Sequence, residues 1–359
     1  MITEMMREPL AKTIKYVRPI RYDSANGLAA QVYDQLQTDF IPAPLVALHS
    51  PVPEVMAGVW SILRETLMAG NVNRSYKEAV AATVSKANEC PFCVDAHTVM
   101  LRANADHDVA NAILEDDHER IHDLQMHALV QWVWANQTLN PYIVLPLPFS
   151  ERELPEIVGT ATTFHYINRM ANIYLGDALL PFSVPSMLKT FTYRLYAATE
   201  GKRVVRRLQA GKSLKFLPQA ELPDDLSWAA KNPSVASAFA GFAQVVEEAG
   251  RQLLPEPVRF LIQERVQMWK GESMGMNRHW VEKALAVFEP EHHAAARLTL
   301  LTAFASYQVD SGIIDSFRQQ YPDDAQLIAA TAWASFTAAR RVSEWLAAPF
   351  QTTVNWKSK

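Results

Sequence analysis

The 359-residue chain has two cysteines, and both lie in "ECPFCVDAH", Glu89 to His97, three positions apart with a histidine four positions beyond the second. These residue types could clamp a metal, cycle between dithiol and disulfide, or sit inert in a core. Pro91 fits the first turn of a helix, where its missing N–H is no loss, and it disfavours helical geometry at Cys90. One helix should therefore end near Glu89 and another begin at Pro91, with Cys90 at its N-cap. At about 100° per residue, Cys90, Cys93 and His97 fall within an arc of roughly 60° on one face, and Cys93 and His97 are i,i+4 neighbours. A helix N-terminus favours a thiolate, and a nearby imidazole can take the thiol proton. A second cysteine so close can resolve a sulfenic acid or mixed disulfide.

A third chemical group lies upstream. In a straight helix Glu78 is about 18 Å from Cys90, while an antiparallel following helix carries His97 back by about 10 Å. Glu78 is thus better placed to reach His97 than Cys90. A relay from Glu78 through His97 to a thiol is the natural arrangement, the carboxylate fixing the imidazole tautomer and raising its basicity.

The elements that must hold these groups read as helices almost throughout. Glycines number only 12, alanine is abundant, and apolar residues recur at three- and four-residue spacing. Strand signals are nearly absent. Helices are expected in "SANGLAAQVYDQLQTDF", "PEVMAGVWSILRETLMAG", "SYKEAVAATVSKANE" and "LPEIVGTATTFHYINRMANIYLG". Ser75 and Glu78 have the spacing of a capping box. The proline-rich "NPYIVLPLPF" reads as a loop.

With 49% apolar and 20% charged residues and a formal charge of −4, the composition is that of a globular protein without a basic field for nucleic acid. No signal-peptide core and no 18-residue apolar run is seen, so a cytoplasmic protein with no membrane span is expected. In a reducing compartment a close cysteine pair points to redox, catalytic or metal chemistry rather than a structural bridge.

The pattern Glu78, Cys90, Cys93, His97 within "EAVAATVSKANECPFCVDAHTVMLRA" resembles the signature of the alkylhydroperoxidase D-like branch of the carboxymuconolactone decarboxylase superfamily. "TTFHYINRMANIYLG" is similar to that family's closing helix, and the resemblance covers about residues 40–178. Phe92 departs from the histidine that a relative carries between its cysteines. The resemblance implies an all-α fold and a homo-oligomer. It also implies that Cys93 attacks a hydroperoxide, Cys90 resolves the product as a disulfide, and Glu78 and His97 relay the proton. A thioredoxin-like order would instead make Cys90 the nucleophile; the closeness of His97 favours Cys93. Turnover would need an external dithiol, and the resemblance points to a lipoyl-bearing or thioredoxin-like protein. No metal, flavin or nicotinamide motif is present, so no cofactor is expected.

Rival readings are weaker. Zinc at Cys90, Cys93 and His97 lacks a fourth ligand and a second cysteine pair. "HERIH", His118 to His122, has metalloprotease spacing but follows "LEDD" rather than an apolar run, and reads as a solvated helix start. His165 reads as a packed or interface histidine, and the basic run "GKRVVRRLQAGKSLKF" as a solvated face. A lyase of the decarboxylase branch, acting on a small carboxylated ring compound, would not need two cysteines. A non-catalytic assembly role is a third alternative.

The second half echoes the first. A shift of 215 places Val94 and Asp95 on Val309 and Asp310, and a shift of 171 places Ile157, Thr160, Ala161 and Arg169 on Ile328, Thr331, Ala332 and Arg340. The expected organisation is an alkylhydroperoxidase D-like domain over 1–180, a connecting segment over 181–232, and a helical, degenerate repeat over 233–359. Glu78, Cys90, Cys93 and His97 then correspond to His293, Ala305, Gln308 and Gly312, so the second copy lacks the thiols.

Overall fold

The structure, a computed structural model, describes residues 13–41, 43–139, 147–176 and 206–356. The N-terminal stretch, most of the proline-rich loop and the start of the connecting segment lie outside these residues.

The fold is all-α. In chain order the helices are α1 (Gly27–Asp39), α2 (Pro44–Ala47), α3 (Pro53–Leu63), α4 (Arg74–Ala87), α5 (Pro91–Ala103), α6 (His107–Glu115), α7 (Leu124–Ala135) and α8 (Leu154–Tyr174). Then follow α9 (Pro233–Leu253), α10 (Glu256–Met268), α11 (His279–Leu285), α12 (His293–Phe304), α13 (Ser311–Arg318) and α14 (Asp324–Trp356). Among the described residues the sole β-type pairing is an isolated bridge between Ala69 and Leu208.

Two long helices, α8 and α14, pack against each other at the centre. Every residue of α8 except Asn172 is buried, so its polar side chains must find partners inside. Thr160 and Thr162 do so locally, their hydroxyls donating to the carbonyls of Glu156 and Val158. One continuous apolar core runs from Val17 to Ala347 and draws on both halves of the chain. Helices α4 and α5 pack on each other and on α8, while α3 lies on α9 through Gly58, where a Cβ would come within 2.4 Å of the Phe242 ring. That contact requires glycine.

Helix α3 runs into a π-turn, Arg64–Met68, that the sequence periodicity does not reveal. Its buried Glu65 accepts hydrogen bonds from Gly211 N and Ser213 Oγ, fastening the later connecting segment to the first half. A second buried carboxylate, Glu156 of α8, accepts from Asn71 N and Val72 N and pairs with Lys77 Nζ at 3.0 Å. Together these contacts fix the turn that leads into α4. Burial is the main cause that lowers Lys77 to about 8.

Helix α4 is not closed by a capping box. Asn73 is the N-cap, accepting from Ser75 N, while the Ser75 hydroxyl bonds Asp106. Glu78 is engaged elsewhere. A side chain with a stronger charged partner on the next turn and across the helix pair is not free to reach back to its own N-terminus.

Candidate active site

Helix α4 ends at the C-cap Asn88, and Glu89 adopts the left-handed conformation with φ 51°. Cys90 N donates to Ser85 O at 2.9 Å, which closes the helix with a bond from the second residue past the cap. Placing glutamate rather than glycine at that φ costs about 1 kcal/mol. The reversal delivers Cys90 to the N-cap of α5, with Pro91 in its first turn. The sequence reading of two helices meeting at Cys90 holds.

The turn is pinned to α8 from outside. Asn88 Nδ2 donates to His165 Nδ1 at 3.1 Å, Asn172 Nδ2 donates to Asn88 O, and Ser85 Oγ donates to Asn168 Oδ1 at 3.1 Å. His165 is packed, as expected, but it also helps hold the cysteine turn.

Both thiols are free and buried, Cys90 1% and Cys93 0% exposed. Burial pushes the Cys93 thiol well up, and its hydrogen bond and charge interaction with Cys90 push it further. This differs from the expectation that the helix start would stabilise a thiolate. The partial charge of a helix terminus acts within its first turn and is modest, whereas the loss of water around a fully enclosed sulfur is the larger effect here. Enclosure thus favours the thiol form of Cys93.

Glu78 and His97 meet directly. His97 Nδ1 lies 2.6 Å from Glu78 Oε2, and the His97 ring packs edge-on against Phe164 at 4.3 Å between centroids. The carboxylate is fully buried, with Arg74 Nε donating to Oε1 at 2.6 Å. Burial is the largest influence on Glu78 and raises its pKa. The Arg74 and His97 charges, with their hydrogen bonds, together outweigh it and hold the carboxyl below its ordinary value. An ionised carboxylate only accepts, so Nδ1 of His97 is the donor and Nε2 is the ring nitrogen left for proton exchange. His97 sits one helical turn after Cys93 on α5.

Arg74 was not singled out by the sequence reasoning, although its i,i+4 spacing to Glu78 was a visible signal. Its side chain is only 9% exposed, and Nη1 and Nη2 are buried without a hydrogen-bond partner among the described residues. Its position beside Glu78 counters the rise that burial alone would give.

The "HERIH" segment is not one helical turn. His118–Arg120 is a short 3-10 turn, and His118 packs edge-on against Trp134. Among the described residues no three His, Cys, Asp or Glu side chains converge as metal ligands would. No described helix is long and apolar enough to cross a membrane.

Comparison with known proteins identifies the family of the chain. The sequence pattern of the carboxymuconolactone decarboxylase family matches residues 53–112, which span α3 to α6 and include all four candidate residues. The chain is also 35% identical over 346 residues to a Mycobacterium tuberculosis protein described as an alkyl hydroperoxide reductase, covering 96% of this chain and 98% of that protein. The chain belongs to the alkylhydroperoxidase D-like/carboxymuconolactone decarboxylase superfamily.

Proposed function

We propose that the protein is a thiol-dependent peroxidase that reduces hydroperoxides through Cys93 and Cys90, with proton relay through His97 and Glu78. The observation that carries the reading is the 2.6 Å bond between His97 Nδ1 and an ionised, Arg74-held Glu78, on the helix that starts with both thiols. The relative's description as an alkyl hydroperoxide reductase supports the same chemistry.

In the first step His97 Nε2 takes the Cys93 proton as the sulfur attacks the terminal peroxide oxygen. The S–O bond forms, the O–O bond breaks, and the departing alkoxide receives that proton to leave as an alcohol. Cys93 is now a sulfenic acid. The Cys90 thiol attacks its sulfur, a disulfide forms, and the hydroxyl leaves as water with the Cys90 proton. An external dithiol, lipoyl-bearing or thioredoxin-like, returns the pair to the reduced state by two thiol–disulfide exchanges. The raised Cys93 thiol fits this sequence, because the proton is lost during attack rather than at rest.

The remaining expectations extend this reading. A reducing, cytoplasmic setting suits two free buried thiols. A homo-oligomer accords with the family. Residues 233–359 are a degenerate copy of 1–180: α12, the turn Ser306–Gln308, α13 and α14 follow in the order of α4, the cysteine turn, α5 and α8, with Ala305 in the place of Cys90. The test of the main proposal is peroxide consumption with dihydrolipoamide as reductant. Turnover that vanishes in the Cys90→Ser, Cys93→Ser double variant supports it. A double variant that loses no activity, or acts on a carboxylated lactone instead, would favour the family's decarboxylase chemistry.

A further inference from the structure

A cavity of about 140 Å3 opens beside the cysteine turn, with Asn88, His165, Arg169, Asn172, Trp269 and Ser306 among its walls. It lies where α8 meets the second half of the chain. Its character is set by Arg169, which is 7% exposed. The guanidinium sits over the Trp269 ring at 5.7 Å, Nε donates to Ala303 O at 2.9 Å and Nη1 donates to His165 O at 2.6 Å.

Those bonds use two of the five N–H donors of an arginine. Among the described residues no carboxylate pairs with Arg169, and its Nη2 has no hydrogen bond. Two backbone carbonyls do not neutralise a buried cation, and buried charges are ordinarily paired. The surrounding groups do not supply the missing charge. His165 Nδ1 accepts from Asn88, so its proton is on Nε2 and it too is a donor. Burial, then Arg169, keeps that ring neutral. Ser306 Oγ accepts from Asn172 Nδ2, which leaves its hydroxyl proton to give. The acidic residues along the walls, Glu89 and Glu272, are exposed to solvent, and Glu272 accepts from Lys270 N.

We propose that this cavity is a binding site for a small organic carboxylate, held by the unused N–H groups of Arg169 with Ser306 and His165 as further donors. A planar carboxylate matches two parallel N–H groups of a guanidinium. The volume is close to that of a cavity of about 150 Å3 that holds benzene, so the carboxylate of a small acid and much of its carbon skeleton fit, with the rest at the open mouth. The site does not depend on thiol chemistry, although Asn88 and Glu89 connect it to Cys90. The carboxylate could belong to a free acid or to the hydroperoxide itself, and the test separates the two.

The probes are benzoate, benzamide and inorganic phosphate, titrated calorimetrically into the reduced full-length protein. Saturable benzoate binding is expected, with benzamide at least about tenfold weaker because it carries no charge. Arg169→Met and Ser306→Leu, the latter projecting into the cavity while keeping the arginine, should each lose it. Thermal unfolding of both variants checks that each is folded, and Ser306→Leu carries the test if the arginine variant is not. No saturable binding to about 50 mM, equal affinity for benzamide, tighter phosphate, or unchanged benzoate affinity in Ser306→Leu would overturn the assignment. If binding holds, a hydroperoxide bearing a carboxylate is compared with its methyl ester. A preference for the acid that Ser306→Leu abolishes places the carboxylate on the substrate; no preference places it on a free acid.

Discussion

Glu78→Gln keeps the length of the side chain and removes its charge. Arg74 Nε can only donate, so the glutamine Oε1 must stay on Arg74 and its amide nitrogen must turn to His97. Two donors then face each other unless His97 Nδ1 gives up its proton. The imidazole changes tautomer, Nε2 becomes protonated, and the nitrogen proposed to receive the Cys93 proton is filled. Loss of a positioned general base slows a reaction by about 100-fold to 10,000-fold. The same change leaves Arg74 as a buried cation without its counter-charge, which costs about 3–5 kcal/mol of stability. Urea unfolding must therefore establish the folded fraction before rates are compared. The assay is stopped-flow oxidation of the reduced protein by one equivalent of cumene hydroperoxide, with thiol titration at the end. The variant should still lose two thiols per chain, at a rate reduced by about 100-fold or more. A folded Glu78→Gln protein within about threefold of the parent rate would refute the tautomer argument.

Stability should fall as pH is lowered, in separable windows. His49 is fully buried and neutral, its Nδ1 donating to Leu45 O and its Nε2 accepting from Tyr166, and burial lowers it from 6.5 to about 4. The unfolded state takes up the proton first, so about 3 kcal/mol is lost as pH falls from about 6.5 to about 4, seen in urea midpoints and reduced in His49→Gln. Glu78, with its lowered pKa, is the opposite kind of group: its contribution is present above the unfolded value of 4.5 and is lost as pH drops through the folded one. Gly70→Ala should cost about 3 kcal/mol or more in urea unfolding, because φ is +95° and the new Cβ would lie 2.3 Å from the Glu156 carboxyl that holds Lys77. Gly27→Ala, with φ +53° and nothing within 4 Å, should cost only about 1 kcal/mol. Exhaustive chelation should leave peroxide consumption unchanged, and chelator-sensitive activity would reopen the metal reading of the cysteine and "HERIH" segments.

What was legible in the sequence follows from how local each cause is. Pro91 alone predicts the break between α4 and α5, and helix rise alone predicts that Glu78 reaches His97 rather than Cys90, because both depend on backbone geometry. The helical class likewise follows from periodicity. The capping box failed because Arg74 and His97 compete for Glu78, and the second of these lies 19 residues away. The π-turn at Arg64–Met68 is not legible because no residue in it departs from helical patterning; its Glu65 is engaged by residues 211 and 213. The direction of the Cys93 shift depends on complete enclosure by neighbouring helices, which spacing cannot convey. Arg169 shows the same limit. Its guanidinium, with no carboxylate partner among the described residues, is set by the α8 contact with Ala303 and Trp269, far along the chain.

The central claim is that Cys93 attacks and Cys90 resolves. Mass spectrometry after one equivalent of hydroperoxide, on the Cys90→Ser and Cys93→Ser proteins, tests it most directly. The account predicts a trapped sulfenic acid on Cys93 in Cys90→Ser and no fast oxidation of Cys93→Ser. A stable sulfenic acid on Cys90 in the Cys93→Ser protein would contradict it.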